Sequence, residues 1–229
     1  MTGRTAIISG ASRGIGNAVA RRLLDNGWQL SLGMRRPDDA DARFSQCHIA
    51  RHDAFERDED DWVASALDRF GRIDAVICCA GIMEPGDVID VGEDTVDRML
   101  EVNLRSPRRL VRAAWPALRE AENGRVILLA SLSGKRVKSA GSGAYSITKH
   151  AAVALAHGIR QKGWHDGIRA TAVCPGFVDT DMARAITDMP PETMTRPGDV
   201  ARLVDLVLDL PDTASVAELC VNCQPEEFY

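Results

Sequence analysis

Short apolar segments alternate with amphipathic helical segments along almost the whole chain, and this alternation constrains the fold more than any other feature. The predicted strands are residues 5–9, 29–34, 46–50, 74–80, 125–131, 169–175 and 217–222. The predicted helices between them are residues 17–26, 62–70, 93–120, 145–162 and 198–210. Strands that are apolar on both faces and separated by helices form a parallel sheet with helices on both faces. The sequence therefore predicts a doubly wound α/β fold of about seven strands, in a single domain spanning residues 1–229.

The charge and the apolar runs argue against two classes of partner. The formal net charge is -5 at pH 7, which disfavours a surface dedicated to nucleic acid. No stretch approaches the ~20 apolar residues that a membrane-spanning helix needs. The apolar run at residues 5–9 is too short for a secretory signal, so we expect a cytoplasmic protein without nucleic-acid or membrane partners.

The cysteines and histidines do not predict a metal site. Cys220 and Cys223 have the spacing of a zinc-binding pair, but a structural zinc site usually takes four ligands from two such pairs. The sequence contains no second pair. The histidines, including His157, have no ligand-like spacing with a carboxylate or a cysteine.

A glycine-rich segment follows the first predicted strand and opens the first predicted helix. It contains Gly10, Gly14 and Gly16. Glycine permits positive φ and removes the Cβ that would block a phosphate, while a helix N-terminus offers unpaired N–H groups and the positive end of a dipole. Because doubly wound sheets bind ligands at the carboxyl ends of their strands, this segment predicts dinucleotide binding. The alternative is a turn that serves only strand–helix packing.

Three arginines indicate which dinucleotide binds. An acidic residue after the second strand, ~20 residues beyond the glycines, would bind the ribose 2′-hydroxyl of NAD. The chain has Arg35 and Arg36 there, and Arg13 lies inside the glycine segment. Guanidinium groups make paired, charge-assisted hydrogen bonds to phosphate. The sequence therefore favours NADP(H) over NAD(H). The alternative is that Arg35 and Arg36 are only a solvated strand end and bind no phosphate.

Tyr145 precedes Lys149 by one helical turn, so both side chains lie on the same face of a predicted helix. A free tyrosine keeps its proton until pH ~10, and a cation within a few ångströms favours the phenolate. By itself this spacing also fits an ordinary exposed polar face.

Six motifs in the same order resemble the short-chain dehydrogenase/reductase family over residues 5–222. The glycine segment is similar to the family's Thr-Gly-x-x-x-Gly-x-Gly, with Ser9 in place of threonine. The family's Asn-Asn-Ala-Gly appears as Cys-Cys-Ala-Gly at residues 78–81, which loses both asparagine side chains. The other matching positions are Asn103, residues 131–134, the pair Tyr145 and Lys149, and residues 175–180.

The resemblance implies hydride transfer between a carbonyl and an alcohol in a Rossmann-type domain. It implies that Tyr145 exchanges the proton and that Lys149 lowers the phenol pKa and binds the nicotinamide ribose. Ser131 would bind and orient the substrate oxygen, and Asn103 would hold a water that relays protons from the lysine. Ser133 competes for the serine role, and Ser131 is favoured because it occupies the first position of the family's Ser-x-x-Gly.

The resemblance also assigns cofactor contacts, which include Asp53 near the adenine ring and backbone contacts after the fourth strand. The assigned residues are Gly10, Ser12, Arg13, Gly14, Ile15, Gly16, Arg35, Arg36, Asp53, Cys79, Ala80, Gly81, Asn103, Tyr145, Lys149, Pro175, Gly176, Val178 and Thr180.

The substrate class stays open at the level of sequence. In the family, specificity depends on the segments that match residues 135–143 and 181–197. These segments contain both methionines and cations, which fit several classes of small molecule. The resemblance implies a homodimer or homotetramer. An NAD-linked alcohol dehydrogenase of the same family and a non-catalytic nucleotide-binding regulator are the alternative functions.

Overall fold

A computed structural model describes residues 3–225, so both ends of the predicted 1–229 domain lie outside the described residues. The described residues form one sheet of seven parallel strands in the order β3-β2-β1-β4-β5-β6-β7. The strands are β1 (Thr5–Ser9), β2 (Gln29–Met34), β3 (His48–Arg51), β4 (Ala75–Cys78), β5 (Arg125–Leu129), β6 (Arg169–Pro175) and β7 (Glu218–Val221). The predicted doubly wound α/β fold is confirmed, and every predicted strand forms with shifts of two residues or fewer at its ends.

Helices cover both faces of this sheet. They are α1 (Gly14–Asp25), α2 (Glu59–Phe70), α3 (Glu93–Leu100), α4 (Ser106–Glu120), α5 (Gly143–Gly163), the one-turn α6 (Asp181–Arg184) and α7 (Pro197–Leu208). Apolar residues of α1 and α7 pack on one face of the sheet. Apolar residues of α2, α4 and α5 pack on the other.

The alternating direction of the side chains along each strand explains why the strands are apolar throughout. In β1, Ile7 packs with α2, α4 and α5, whereas Ala6 and Ile8 pack with α1 and α7. Successive side chains of a strand point to opposite faces, and here both faces are buried. A sheet covered on both sides therefore requires the continuous apolar runs seen in the sequence.

The strand order reverses direction between β1 and β4, which are hydrogen-bonded neighbours with Ser9 in register with Cys78. The chain leaves β1 toward β2 and β3 on one side, and it continues through β4 to β7 on the other. The loops after β1 and β4 therefore separate and leave a crevice at the carboxyl edge of the sheet. Among the described residues, no helix combines the length and apolar character that crossing a membrane requires.

The predicted helix 93–120 contains an interruption that the sequence analysis missed. Residues Glu101–Arg105 form a π-helical segment between α3 and α4. Such segments insert an extra residue into a helix and occur often at functional sites. Asn103 lies in this segment and is buried.

Candidate active site

A cavity of about 980 Å³ opens at the carboxyl edge of the sheet. The segments that follow β1, β2, β3, β4, β5 and β6 line it, together with the first turns of α5. Its volume lies at the upper end of the range typical of ligand sites, ~300–1,000 Å³. The crevice at the topological switch point thus provides room for a large ligand.

Most residues assigned to the site from sequence line this one cavity. They are Gly10, Ser12, Arg13, Gly14, Ile15, Gly16, Arg35, Asp53, Cys79, Ala80, Gly81, Ser131, Tyr145, Lys149, Pro175, Gly176, Val178 and Thr180. Two assigned residues, Arg36 and Asn103, do not line it. The fold therefore brings together segments separated by more than a hundred residues in the chain.

Two glycines of the β1–α1 loop permit close approaches that a side chain would prevent. Gly10 has φ +68°, and a Cβ on it would lie 2.7 Å from the backbone nitrogen of Ala80. Gly14 has φ +57°, and a Cβ on it would lie 3.3 Å from Cγ2 of Thr180. The loop after β1 therefore sits directly against the loops after β4 and β6, and its backbone forms a wall of the cavity.

The N-terminus of α1 faces this wall without a side-chain cap. Arg13 occupies the N-cap position, and no side chain accepts a hydrogen bond from the first turn. Unpaired N–H groups at the start of a helix, together with the positive dipole end, bind anions such as phosphate. The glycine loop and this helix terminus fit the pyrophosphate of a dinucleotide.

The three arginines expected to converge are not all directed toward the cavity. Arg13 and Arg35 line it, and Nη1 of Arg13 is 2.9 Å from Oδ2 of Asp181. Arg36 is 83% exposed in its side chain and pairs with Asp39 at 2.6 Å. A nearby carboxylate thus holds the Arg36 guanidinium in solvent, and the structure does not support its assignment to the cofactor site.

Two residues near the β1 and β3 ends line the cavity and were missed by the sequence analysis. Arg21, about two turns into α1, adds a further cation to the wall, although its guanidinium pairs with Asp41. Phe55 lies two residues after Asp53, is exposed and lines the same end of the cavity. An aromatic residue next to the predicted adenine contact was the sequence signal for Phe55.

Three side chains predicted to carry the chemistry meet deeper in the cavity. The hydroxyl groups of Ser131 and Tyr145 are hydrogen-bonded. Nζ of Lys149 lies 5.6 Å from the centroid of the Tyr145 ring and donates to the backbone oxygen of Leu129 at 2.8 Å. Ser131 follows β5, whereas Tyr145 and Lys149 lie one turn apart on α5, so two elements position the group.

The pKa values of Tyr145 and Lys149 shift in opposite directions. Burial raises the pKa of Tyr145 above its ordinary value of 10.0, and the hydrogen bond to Ser131 offsets only part of that rise. Burial lowers the pKa of Lys149 from 10.5 to about 8. Burial is therefore the largest influence on the phenol pKa in this arrangement, and the lowering of that pKa by Lys149 stays a prediction.

Asn103 is held by the protein instead of facing the cavity. Its Oδ1 accepts from the backbone nitrogen of Ile82 at 2.9 Å, and its Nδ2 donates to the backbone oxygen of Ile82 at 2.9 Å and to Oγ1 of Thr148 at 3.0 Å. Both ends of the side-chain amide are thus occupied by protein groups, and the expected relay water at Asn103 stays a prediction. Asn103 links the segment after β4 to α5.

The two candidate serines have different surroundings although both line the cavity. The backbone nitrogen of Ser133 donates to Oγ of Ser131 at 3.0 Å, which fixes the Ser131 hydroxyl beside Tyr145. This geometry supports the choice of Ser131 over Ser133.

Cys78 and Cys79, which stand where the family has Asn-Asn, have different surroundings. Cys78 is buried in the core below the sheet edge, and Cys79 lines the cavity. Burial raises the pKa of Cys79 to about 12, so its thiol is protonated at neutral pH. The backbone of Ala80 donates to Oγ of Ser9 at 3.3 Å, which ties the β4 end to the glycine loop.

Asn222 lines the cavity near the β6 end and was also missed. Its Nδ2 is buried and has no hydrogen-bond partner among the described residues, and a Cβ on Gly176 would lie only 2.3 Å from its Oδ1. No local motif marks this asparagine, because its place in the site depends on the pairing of β7 with β6.

Comparison with known proteins places these features in one family. Residues 4–191 match the family model described as short chain dehydrogenase. An agropine synthesis reductase of Rhizobium rhizogenes is 37% identical over 229 residues, covering 97% of this chain and 53% of that protein. The chain thus spans about half the length of that relative. Oxidoreductase UcpA of Salmonella typhimurium is 30% identical, covering 99% of this chain and 89% of that protein.

Solved structures with the same fold include two that contain NADP or a derivative. An alcohol dehydrogenase from the archaeon Thermococcus sibiricus, complexed with 5-hydroxy-NADP, is 30% identical with a TM-score of 0.87, covering 98% of this chain and 99% of that chain. A short chain dehydrogenase from Burkholderia cenocepacia in complex with NADP is 26% identical with a TM-score of 0.88, covering 97% of each chain.

Proposed function

Because the chain belongs to the short-chain dehydrogenase/reductase family and is therefore an NAD(P)-dependent oxidoreductase, we propose that it interconverts a carbonyl and an alcohol with NADP(H). One observation carries this proposal. Ser131, Tyr145 and Lys149 share a cavity with the glycine loop and the uncapped start of α1.

Tyr145 is the residue that exchanges the proton with the substrate oxygen. Its raised pKa keeps the phenol protonated at neutral pH, so it is poised to donate to the alkoxide that forms as a carbonyl is reduced. Reduction is therefore the direction that this arrangement favours. In the opposite direction the phenol would first have to lose its proton.

Ser131 and Lys149 support that transfer in different ways. Ser131 is hydrogen-bonded to Tyr145, and its hydroxyl is placed to orient the substrate oxygen beside the phenol. Lys149, with its pKa lowered to about 8, still carries its charge at neutral pH. That charge stabilises the phenolate left behind after donation.

Different residues would hold different parts of the dinucleotide. The β1–α1 loop and the start of α1 fit the pyrophosphate, and Asp53 with Phe55 lies at the end proposed for the adenine. The residues Pro175, Gly176, Val178 and Thr180 line the end proposed for the nicotinamide. When bound, the dinucleotide supplies or accepts the hydride.

Preference for NADP(H) over NAD(H) is proposed from Arg13 and Arg35, two cationic residues that line the cavity. No carboxylate follows β2 directly, where an NAD-binding member would place one. The NADP or NADP derivative in the two solved structures supports this proposal. Arg36 is no longer part of it.

The expectations about domain organisation, assembly and substrate class are also proposals. We propose that residues 1–229 act as one NAD(P)-binding domain, and that the protein works as a homodimer or homotetramer on a small carbonyl or alcohol compound. Sedimentation equilibrium would distinguish the two assemblies.

The proposal is tested by titrating the protein with NADPH and with NADH, followed by assays against a panel of carbonyls and alcohols. We expect tighter binding of NADPH, and NADPH-dependent reduction of at least one carbonyl. Binding of NADH without NADPH would reverse the cofactor assignment. Tight NADPH binding without turnover of any compound, under conditions that saturate the site, would favour the non-catalytic alternative.

A further inference from the structure

Two cysteines and a glutamate meet at the edge of the sheet, outside the cavity of the active site. Cys174 of β6 is in register with Cys220 of β7, and Glu218 lies two residues before Cys220 on the same strand. Residues two apart on a strand face the same side, so all three side chains project from one face. One ligand atom from each lies within 4.8 Å of the other two.

The two thiols are close enough to interact directly. Their sulfur atoms lie within 4.8 Å of each other, and Sγ of Cys174 lies 3.8 Å from the backbone oxygen of Ala172. Cys174 is fully buried in the core, whereas Cys220 is exposed. The group therefore has a buried floor and an open side through which a small ion can enter.

Two nitrogen-bearing side chains hold the carboxylate of this group. Nζ of Lys135 lies 2.5 Å from Oε2 of Glu218, and Nε2 of His157 lies 2.9 Å from Oε1. Lys135 comes from the segment after β5 and His157 from α5. Sequence spacing gave no sign of the pair between His157 and Glu218, because it depends on a contact between α5 and β7.

We propose that Cys174, Cys220 and Glu218 form a binding site for a thiophilic divalent cation of the zinc type. Zinc binds cysteine sulfur at ~2.3 Å and carboxylate oxygen at ~2.0–2.2 Å, so the three tetrahedral ligand atoms would lie ~3.5–3.8 Å apart. The present ligand atoms, which lie within 4.8 Å of one another, need to approach by about 1.3 Å or less to reach that geometry. Three protein ligands leave the fourth position to water.

Charge and protons balance at this site. Binding forms two metal–sulfur bonds and one metal–oxygen bond, and both thiol protons leave to solvent because the thiolate is the ligand. Two thiolates and one carboxylate carry three negative charges, which the divalent ion and the Lys135 ammonium neutralise. His157 keeps its hydrogen bond to the carboxylate and orients it, as outer-shell partners do.

The site has a structural role that does not depend on the reaction. None of the three ligands lines the active-site cavity, but Pro175, the residue after Cys174, does. A bound ion would join β6 to β7 directly below the loop that follows β6. We therefore expect an increase in thermal stability on metal binding, whatever the substrate of the enzyme proves to be.

Cobalt titration of the reduced, metal-free full chain tests the site, with Co²⁺ as the spectroscopic probe. We expect a thiolate-to-cobalt charge-transfer band and tetrahedral d–d bands that saturate at one equivalent and vanish when Zn²⁺ is added. Glu218→Gln and Cys220→Ser should each weaken binding by more than the ~10- to 100-fold that loss of an outer-shell partner causes. His157→Ala should weaken it by about 10-fold.

Cys223→Ser is the matched control. Cys223 belongs to the same Cys-x-x-Cys sequence as Cys220, but its Sγ lies 3.6 Å from the backbone oxygen of Phe177 and 4.0 Å from Sδ of Met189. This variant should bind cobalt like the native protein. Absence of the thiolate band in the native protein, or its retention in Cys220→Ser, would overturn the proposal. Because Cys220 is exposed, its replacement tests the site even if Cys174→Ser fails to fold.

Discussion

The hydroxyl of Ser131 is hydrogen-bonded to the phenol of Tyr145, although the two residues come from different elements of the fold. Ser131 follows β5, and Tyr145 lies in the first turn of α5. The backbone nitrogen of Ser133 holds the serine hydroxyl from the other side at 3.0 Å. A substrate oxygen that reaches this pair would meet two hydroxyl groups in fixed positions, which is the arrangement that orientation of a carbonyl requires.

Ser131→Ala should lower kcat for carbonyl reduction by about 100- to 1,000-fold, as loss of one preorganised hydroxyl or amide donor does elsewhere. Ser133→Ala is the matched control, because both serines line the cavity but only Ser131 bonds to Tyr145. We expect less than a tenfold change for the control. Steady-state kinetics of both variants check this, and equal losses would remove the distinction between the two serines.

Arg35→Ala should weaken NADPH binding by about 10- to 100-fold, the loss expected when a charge-assisted hydrogen bond to phosphate is removed. NADH, which lacks the 2′-phosphate, should bind with nearly unchanged affinity. Arg36→Ala is the matched control, since Arg36 pairs with Asp39 outside the cavity. Fluorescence titrations measure all four affinities, and a loss with Arg36→Ala as large as with Arg35→Ala would contradict the assignment.

Lys149→Met should stabilise the protein at neutral pH while abolishing efficient turnover. The folded-state pKa of Lys149 is lowered to about 8 from 10.5, so the charged amine is less favourable in the native than in the unfolded chain. At 1.36 kcal/mol per pKa unit this penalty is at most about 3 kcal/mol, and loss of the bond to Leu129 offsets about 1 kcal/mol.

The penalty on Lys149 is fully present below pH 8 and disappears as pH rises toward 10.5, where the amine is neutral in both states. The stability gain of Lys149→Met should therefore shrink over that interval. Urea unfolding at several pH values measures it. A Lys149→Met variant less stable than the native protein at pH 7 would show that burial of the charged amine does not destabilise the native state.

Asn103→Ala should lower the free energy of unfolding by about 1 to 3 kcal/mol, because the backbone N–H and C=O of Ile82 lose their partners. Asn103→Asp should also destabilise the protein, since its carboxylate can accept from the Ile82 nitrogen but cannot donate to the Ile82 oxygen or to Thr148. As a positioning residue, Asn103 should also affect kcat more than the KM for NADPH. Chemical unfolding and kinetics together check this, and a native unfolding energy in Asn103→Ala would refute the linking role.

The sequence predicted the sheet well because the physical signal is strong and local. Strands buried on both faces are apolar almost throughout, so the runs at residues 5–9, 74–80 and 125–131 were visible without any knowledge of their neighbours. The glycine loop was equally visible, since positive φ at Gly10 and Gly14 admits few other residues.

The features that the sequence did not reveal share a different cause, because each depends on contacts that only the folded chain makes. The direction of Arg36 depends on its pairing with Asp39, and the occupation of the Asn103 amide depends on Ile82. The phenol pKa depends on how completely α5 is buried, which no spacing reveals. The group at Cys174 and Cys220 exists only because β6 and β7 pair in that register.

Tyr145→Phe tests the central claim most directly, because it removes one hydroxyl and keeps the ring that packs against Met99 and Ala144. The measurement is single-turnover oxidation of saturating NADPH with a carbonyl substrate, alongside NADPH affinity of the same variant. We expect the rate of NADPH oxidation to fall by at least about 100-fold, the lower range for loss of a general acid, with NADPH affinity nearly unchanged. A rate close to that of the native protein would contradict the assignment of Tyr145 as the proton donor.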